Sequence, residues 1–497
     1  MRRLDKNEVI GLEGPDEIPS QWHREADVLI VGSGYSGLAA AIEACDAGAP
    51  VLVLEKMPVY GGNSIISVGA YNCVDPERQK AQGVEDSMEL HYEQTLSGGD
   101  YRADPEKVRF LVENALEGWK WLEELGIELD GPLLEVYGSL WPRAHLPKYK
   151  GKKRGAIVRG LYDRVKAKGI PLLLKHKVLQ IIREKPFQGR ILGLKVGYSG
   201  QTYFFRAKKA VILASGGFCA DVEMRMRHDP RFDARFATSN HPGATGETLN
   251  MAAEVGAAEI GMEFIQTSGP SGPDIRFVSP PIGFVPQRKR LVTLIGMSVN
   301  RCIYIDLRGK RIIASDARRD SIAEAVMRTP EKVCICITDD EGRKYALYGE
   351  TPVEVLKRSA QERPKEFFKA DTIGELALQM GIRPEVLEET VAKYNSYVDS
   401  KKDPELGQMA ENLVWRCRKS PFWAATGSPA LHYMCGGLRT KGASTQVLDR
   451  GSKEIPGLYA AGEIVGGVHG TNRLGGNATA DCIVFGRLAG KEAACLA

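Results

Sequence analysis

The 497-residue chain lacks the sequence features of several protein classes. Its ten cysteines form no CxxC or CxxCH motif, which excludes covalent c-type haem and argues against a zinc or iron–sulfur site. It has no run of about 18 apolar residues, so no membrane span is expected. Lysine and arginine number 67 against 63 acidic residues, and a net charge of +4 is too small to indicate nucleic-acid binding.

The same absences bear on location and electron transfer. The start, MRRLDKNEVIGLEGPDEIPS, has two arginines but no apolar segment behind them, so it is not predicted to be a secretory signal. Together with the scattered cysteines, this predicts a reduced, cytoplasmic protein with no metal site. Because the chain has no haem or cluster motif, we expect electrons to come from or go to a separate donor or acceptor.

What the chain does have is a glycine-rich turn between two predicted strands. The segment Asp27–Glu55, DVLIVGSGYSGLAAAIEACDAGAPVLVLE, has the pattern of strand, turn, helix and strand. Gly32 permits the tight turn, Gly34 lets a pyrophosphate approach the backbone, and Gly37 lets the helix pack on the strand. The helix N-terminus faces the phosphate and Glu55 can bond a ribose hydroxyl. The segment therefore predicts a dinucleotide site.

The remaining pattern predicts an α/β fold with four consecutive parts. A polar lead-in covers residues 1–25, and the first part of the nucleotide-binding domain covers 26–270. Proline and glycine then crowd the chain, and 271–425 is predicted to be an inserted α+β domain that contains the buried strand VCICIT. The strand–glycine–helix pattern returns in 426–497, so both chain ends are expected to form one domain. The basic stretch from 131 to 155 is predicted to be a solvated connector.

Five strings carry a resemblance to a known family: GSGYSGLAAAIEA, LEKMPVYGGNS, LASGGF, SNHPGATGETLNMAAEVGA and GLYAAGEIVGGVHGTNRLGGNA. The chain resembles the soluble flavoproteins of the fumarate reductase/succinate dehydrogenase family, which also holds urocanate reductases and 3-ketosteroid dehydrogenases. The resemblance implies non-covalent FAD in a Rossmann-like domain of the glutathione-reductase type, with the inserted domain capping the flavin. It also implies an FAD-dependent oxidoreductase acting on a CH–CH or C=C bond next to a carbonyl or carboxyl group.

The resemblance further implies which residues contact FAD. Val178 would hold the adenine through its backbone, and Gly476 and Asn477 would lie against the isoalloxazine. The helix that begins near Asn477 would aim its positive end at the flavin and stabilise the anionic reduced form. The full set is Gly32, Gly34, Ser36, Gly37, Glu55, Lys56, Gly62, Asn63, Ser64, Gly69, Val178, Ala214, Gly216, Glu247, Glu463, Arg473, Gly476 and Asn477.

Two arginines carry the chemistry that the resemblance implies. Arg319, in RGKRIIASDARRDSIAEAV, stands where the family has its proton donor, and Arg473, in NRLGG, stands where the family binds the substrate carboxylate. An arginine has a pKa of about 12.5 or higher, so on residue chemistry alone Arg319 would be an ion-paired or surface residue. A planar guanidinium suits a carboxylate or enolate oxygen, although a purely structural role for Arg473 stays open.

The chain departs from fumarate reductases at the second carboxylate site. Ser268 takes the place of one histidine, and Tyr433, preceded by His432, takes the place of another. Ile295 and Ser298 stand near the positions of the proton-relaying glutamate and arginine. A dicarboxylate would be poorly neutralised there, so fumarate is not the expected substrate. The expected substrate contacts are Ser268, His432, Tyr433 and Arg473.

Several alternatives stay open at this point. Tyr433 can donate to a ketone oxygen or merely pack on the flavin edge, and residues 271–294 can form an apolar pocket wall or a partner-binding loop. Reduction and desaturation are one reaction in opposite directions; Arg319 favours reduction, while Tyr433 favours 3-oxo, steroid-like substrates. The alternative functions are a soluble fumarate reductase with rearranged ligands and a non-catalytic flavin electron carrier.

Overall fold

The structure, a computed structural model, describes residues 18–136, 138–272, 300–345 and 353–496. The predicted lead-in therefore lies mostly outside the described residues, as do Ile295, Ser298 and most of the stretch 271–294. The first strand begins at Arg24, within the last two residues of that lead-in. No helix of the described ranges is long and apolar enough to cross a membrane.

The described strands form two large sheets and three two-stranded ones. In chain order the strands are β1 (Arg24–Val31), β2 (Val51–Glu55), β3 (Tyr71–Asn72), β4 (Glu128–Leu129), β5 (Ala144–His145), β6 (Pro147–Lys148), β7 (Leu172–Leu174), β8 (Lys177–Lys185), β9 (Gln188–Tyr198), β10 (Gln201–Leu213), β11 (Glu259–Ile260), β12 (Ile265–Gly272), β13 (Ile303–Ile305), β14 (Arg311–Ile313), β15 (Cys334–Asp339), β16 (Phe367–Ala370), β17 (Phe422–Met434), β18 (Gly437–Leu438), β19 (Gln446–Leu448) and β20 (Glu454–Ala460).

The α-helices follow the same order. They are α1 (Tyr35–Asp46), α2 (Gly62–Ile66), α3 (Pro76–Ala81), α4 (Met88–Gly98), α5 (Pro105–Glu124), α6 (Ala156–Ala167), α7 (Val222–His228), α8 (Glu247–Glu254), α9 (Arg319–Arg328), α10 (Val353–Glu362), α11 (Ile373–Met380), α12 (Pro384–Ser400) and α13 (Asn477–Cys495). Short 3₁₀ turns cover Gly342–Tyr345 and Ala410–Asn412.

The larger sheet combines strands from both ends of the chain. Its order is β19-β20-β10-β1-β2-β7, and β8 and β9 form a hairpin that continues from β10. Strands β7, β2, β1, β10 and β20 run parallel. All five residues of β2, VLVLE, are buried, as expected for a parallel strand covered on both faces.

Close helix packing fixes one end of this sheet. Helix α1 follows β1 directly and packs on α13, the last helix of the chain. A Cβ added to Gly486 of α13 would come within 2.8 Å of the Cα of Ser36, so only a glycine allows this approach. The contact holds the first turn of α1 against the middle of α13, and Gly490 continues it against Ala40.

The second sheet is antiparallel, with the order β12-β17-β15-β13-β14 and with β16 on the edge of β17. The predicted strand VCICIT is confirmed as β15, all of whose residues are buried, and its thiols are buried as predicted. Strand β17 pairs with β15 and β16 along its first half and with β12 along its second half. Its last residues thereby reach the larger sheet.

Candidate active site

A cavity of about 960 Å³ lies where the carboxyl ends of β1 and β2 meet the second sheet. Val31 and Glu55, the last residues of those strands, line one side, and residues of β12, α9 and β17 line the other. Ligands of open parallel sheets bind at this edge of the strands. The cavity volume is at the upper end of the range of ligand pockets, as a dinucleotide together with a second small molecule requires.

Most of the residues predicted for the site converge on this one cavity. Those that line it are Gly32, Gly34, Ser36, Glu55, Lys56, Gly62, Asn63, Ser64, Gly69, Val178, Ala214, Gly216, Glu247, Ser268, Arg319, His432, Tyr433, Glu463, Arg473 and Gly476. They come from segments up to several hundred residues apart. Their roles toward a ligand stay predictions.

Two predicted FAD contacts, Gly37 and Asn477, do not line the cavity. A Cβ on Gly37 would overlap the carbonyl of Gly32, so Gly37 serves the helix–strand packing. The contact of Asn477 with the isoalloxazine stays a prediction for its backbone, since its side chain is fully buried and hydrogen-bonded within the protein. Its Oδ1 accepts from Asn72 at 2.8 Å and contacts His91 Nε2 at 3.1 Å, and its Nδ2 donates to Thr95 at 3.0 Å.

The glycine-rich turn has the geometry that the motif predicts. Gly32 has a φ of +105° and lies so close to Ala214 that no side chain fits. Gly34 has an ordinary φ of −74°, and a Cβ there would have only Ser64 Oγ nearby, at 3.2 Å. The turn is therefore open to the cavity at Gly34, directly at the N-terminus of α1, where backbone N–H groups favour an anion.

The carboxylate at the end of β2 is held in place by the same turn. Glu55 accepts hydrogen bonds from the backbone N and the Oγ of Ser33, at 3.2 and 2.6 Å, and from Met57 N at 2.9 Å. It still lines the cavity. This arrangement fits the predicted contact with a ribose hydroxyl.

A second carboxylate, Glu247 at the start of α8, lies between two lysines. Lys56 Nζ is 2.5 Å from its Oε2 and Lys177 Nζ is 3.1 Å from its Oε1, while Thr245 donates to the same carboxylate. Burial raises the pKa of Glu247, but the bonds from Lys56 and Thr245 outweigh it and lower the pKa to about 2. The carboxylate is therefore ionised and fixes both lysines at the cavity.

A third carboxylate, Glu463, is as buried as Glu55. It accepts from Met434 N at 3.1 Å and from Asn63 Nδ2 at 3.2 Å. Asn63 also donates to Asn240 Oδ1 at 2.6 Å and accepts from His241 N at 2.6 Å. Burial raises the pKa of Glu463, and these donors oppose that shift.

Arg319 and Arg473 meet at a single backbone carbonyl. Arg319, the first residue of α9, donates from Nη2 to the carbonyl oxygen of Arg473. Gln266 Nε2 donates to the same oxygen at 3.0 Å. Both arginines are almost fully buried, and burial lowers the pKa of Arg473. Arg473 Nε has no hydrogen-bond partner among the described residues, and the residue lines the cavity.

Tyr433 completes this end of the cavity. The Arg473 guanidinium carbon lies 4.9 Å from the centre of the Tyr433 ring. Burial raises the pKa of Tyr433 well above its usual value, so the phenol is neutral at physiological pH. Every residue of β17 is buried except His432, whose imidazole lines the cavity and contacts Ser239 Oγ at 2.7 Å through Nδ1. The two side chains thus offer a neutral donor and an imidazole nitrogen.

The residues present fit FAD, since the open turn at Gly34, the Glu55 carboxylate held beside that turn and the cavity volume match a dinucleotide. Sequence reasoning did not identify Ser239, Asn240 and Gln266 as site residues. They lie inside or beside the quoted strings, but their hydrogen-bond partners lie in distant segments of the chain. It also treated residues 131–155 as a solvated connector, whereas Lys153 and Arg154 line the cavity.

The described residues hold no group of three or more His, Cys, Asp or Glu placed for a metal ion.

Comparison with known proteins identifies the class. The chain belongs to the FAD binding domain family, whose profile matches residues 27–479. It is 34% identical over 470 residues to a probable fumarate reductase, Ifc3, of Shewanella frigidimarina, covering 94% of this chain and 74% of that protein. It is 33% identical over 486 residues to a urocanate reductase of Eggerthella lenta, covering 97% of this chain and 76% of that protein.

A solved structure supports the same family. The open conformation of a flavocytochrome c3 fumarate reductase matches with a TM-score of 0.75 and 33% identity, covering 95% of this chain and 78% of that one. The predicted family is thereby confirmed, and the fold is a mixed α/β FAD-binding fold. The chain is an FAD-dependent oxidoreductase of the class that acts on CH–CH and C=C bonds.

Proposed function

We propose that the chain reduces a C=C bond conjugated to a carboxylate or carbonyl group, in a substrate with at most one carboxylate. The observation that carries this proposal is the pair of buried guanidinium groups of Arg319 and Arg473 at one end of the cavity, beside Tyr433. The reductases among the relatives, which include urocanate and acrylate reductases by name, support the reaction class.

FAD would be held along the opposite part of the cavity. The pyrophosphate would lie at Gly34 and the N-terminus of α1, with a ribose on Glu55. Lys56 and Glu247 would support the cofactor near Val178. When bound, FAD supplies a hydride at its N5 atom.

We further propose that FAD is bound without a covalent link. Asn63 and Ser64, the last two residues of the string LEKMPVYGGNS, are neither histidine, cysteine nor tyrosine, and both side chains are hydrogen-bonded within the protein. Release of all flavin into the supernatant after acid precipitation would support this. Flavin that stays with the precipitate would contradict it.

Arg473 would bind the substrate carboxylate and stabilise the negative charge that develops on it. Its planar guanidinium suits an oxyanion, and its burial strengthens that interaction because water screens it little. Arg319 would deliver the proton to the α carbon. The Arg473 carbonyl fixes the Arg319 guanidinium in one orientation, which a positioned proton donor needs.

The restriction to one carboxylate follows from the rest of the lining. The two residues expected at the second end of the substrate are Ser268, which is neutral, and His432, which contacts Ser239. A second carboxylate buried there would be poorly compensated. Fumarate is therefore expected to be a poor substrate.

Tyr433 supports a second candidate, the desaturation of a 3-oxo compound. A neutral buried phenol is a good hydrogen-bond donor to a ketone oxygen, and its raised pKa keeps it protonated. This candidate reaction takes place at the same site and is the reverse of the reduction. It differs in requiring a saturated ketone as electron donor to the oxidised protein.

For the architecture, we propose that the larger sheet forms a domain of the glutathione-reductase type and that the second sheet is the capping domain. Helix α9 supports this, because it projects Arg319 from the second sheet into the cavity. Electrons would come from a separate donor. The cytoplasmic location stays a prediction.

The test is anaerobic reoxidation of the dithionite-reduced flavoprotein, followed by flavin absorbance as acceptors are added one at a time. The acceptors are fumarate, urocanate, cinnamate-type acids, a cyclohexenone carboxylate and 4-en-3-one steroids. Fast reoxidation by a monocarboxylate enoate, and slow reoxidation by fumarate, is expected. Fast reoxidation by fumarate would refute the roles assigned to Ser268 and His432, and a response only to saturated ketones on oxidised protein would select the desaturase.

A further inference from the structure

An ion pair outside the cavity joins the start of α9 to the loop between α4 and α5, beside the predicted catalytic arginines. Arg318 Nη1 lies 2.7 Å from Asp100 Oδ1, and Arg318 Nη2 lies 3.2 Å from Asp100 Oδ2. Arg318 directly precedes Arg319, whereas Asp100 lies between α4 and α5, 218 positions away in the chain. Arg318 also binds Asp320, but within its own segment. Neither Arg318 nor Asp100 lines the cavity, so their contact is not with the substrate.

The same carboxylate also holds the loop that carries the second arginine. Thr471 Oγ1 donates to Asp100 Oδ2. The backbone N of Thr471 donates to the Gly99 carbonyl at 3.1 Å, and Asn472 Nδ2 donates to the Gly98 carbonyl at 3.0 Å. The segment 98–100 thus binds residues 471–472 through these hydrogen bonds, and those residues lie one to two positions before Arg473.

Together these contacts form a closed circuit of interactions, called the ring below, through Asp100, Arg318, Arg319, Arg473 and Thr471. Asp100 binds Arg318; the neighbouring Arg319 donates to the carbonyl of Arg473; and the loop of Arg473 returns through Thr471 to Asp100. Asp100 is the only acidic group in this ring. Loss of its charge would weaken the attachment of both arginine segments at once, because Asp100 binds Arg318 and Thr471 with one carboxylate.

The backbone at Asp100 is consistent with a specific role. Its φ is +55° and that of Tyr101 is +54°, so two consecutive non-glycine residues are left-handed. Such strain persists where the surrounding structure over-determines the conformation. Aspartate and asparagine tolerate this conformation better than other non-glycine residues.

We propose that Asp100 is the positioning residue that sets Arg319 and Arg473 relative to each other. The proposal rests on the proposed function, which gives these arginines their roles as proton donor and carboxylate ligand. An exposed ion pair contributes little to global stability. A misplacement of about 1 Å at a reacting centre, in contrast, can cost about a hundredfold in rate.

The main test uses Asp100→Asn in the FAD-loaded protein, because asparagine keeps the shape and the backbone conformation but removes the charge. Hydrogen exchange of the amides in residues 318–323 and 472–476 is expected to rise in both segments. Exchange that rises in one segment alone, or in neither, would overturn the proposal. This measurement needs no substrate, so it stands even if the proposed function fails.

A second readout is the affinity for trans-cinnamate, taken as a simple monocarboxylate probe and followed by the change in flavin absorbance. Asp100→Asn and Arg318→Gln are each expected to raise its Kd about tenfold, and the double variant no further, since both remove one contact. Additive effects, or a Kd within twofold of wild type for Asp100→Asn, would contradict the proposal. If cinnamate fails to bind wild type, the substrate class is wrong and the exchange result alone decides on Asp100.

Three further variants separate positioning from general loosening. Glu324→Gln breaks another exposed ion pair to α9, with Arg231 at 3.1 Å, and is expected to leave exchange in 472–476 and the cinnamate Kd unchanged. Thr471→Val removes the hydroxyl that donates to Asp100, whereas Thr471→Ser keeps it. The valine variant is expected to behave like Asp100→Asn and the serine variant like wild type; equal behaviour of the two would count against the ring.

Discussion

The two glycines of the phosphate-binding turn are predicted to fail in different ways when each is replaced by alanine. At Gly34 the backbone is compatible with alanine, and the added methyl would meet only Ser64 Oγ while it points at the cavity. Folding stability should change by no more than about 0.5 kcal/mol. FAD, however, would lose close contact with the helix N-terminus, at about 2 kcal/mol for a charged hydrogen bond, or about thirtyfold in Kd.

At Gly32 the expected result is the reverse. The φ of +105° disfavours any L side chain, and the methyl would overlap the carbonyl of Ala214. Left-handed strain and overpacking together are expected to cost at least about 3 kcal/mol of folding stability. This loss should be present in the apoprotein, before any flavin is added.

The assay is urea unfolding of each apoprotein, followed by FAD titration with flavin fluorescence. Gly34→Ala should unfold at the wild-type midpoint and bind FAD about thirtyfold more weakly, while Gly32→Ala should unfold at a clearly lower midpoint. Wild-type FAD affinity for Gly34→Ala would refute the placement of the pyrophosphate at this turn. Wild-type stability for Gly32→Ala would refute the described backbone.

Three further outcomes are expected. Glu247→Gln should lower the free energy of unfolding at neutral pH by about 1 kcal/mol, after allowance for partial exposure. Because the pKa of Glu247 is depressed in the folded protein, the difference from wild type exists above pH 4.5. In thermal melts it should vanish as the pH falls toward 2. Tyr433→Phe should slow enone reduction about a hundredfold, with no tyrosine step in the wild-type rate profile from pH 6 to about 10; a rate within threefold of wild type would assign Tyr433 to packing. Asp339→Ala should lower the free energy of unfolding by at least about 3 kcal/mol, seen as a lower urea midpoint, because the carboxylate accepts from five donors. Asp339→Asn should lose less.

The glycine turn and its flanking strands could be predicted because their signals are local. Gly32, Gly34 and Glu55 lie within one strand–turn–helix–strand unit, and β2 ends at Glu55 as predicted. The buried thiols of β15 follow from an uninterrupted apolar strand. In each case the deciding contacts lie within a few turns or strands of the chain.

The contacts that could not be predicted are those between distant segments. Lys56 and Glu247 are 191 positions apart, and each alone resembles a solvated surface charge. Asn477 shows the same limit, because its place at the start of α13 could be predicted, but the direction of its amide depends on Asn72, His91 and Thr95. Side-chain orientation at a helix end is decided by tertiary packing.

The most direct test of the central claim compares two acceptors for the reduced flavoprotein in wild type and Arg319→Met. One acceptor is the enoate that reoxidises wild type fastest, and the other is ferricyanide, which needs no proton donor. We predict that the variant keeps its FAD and its ferricyanide rate but reoxidises with the enoate at least about a hundredfold more slowly. An enoate rate within threefold of wild type would contradict the account, because it would show that a group other than Arg319 delivers the proton.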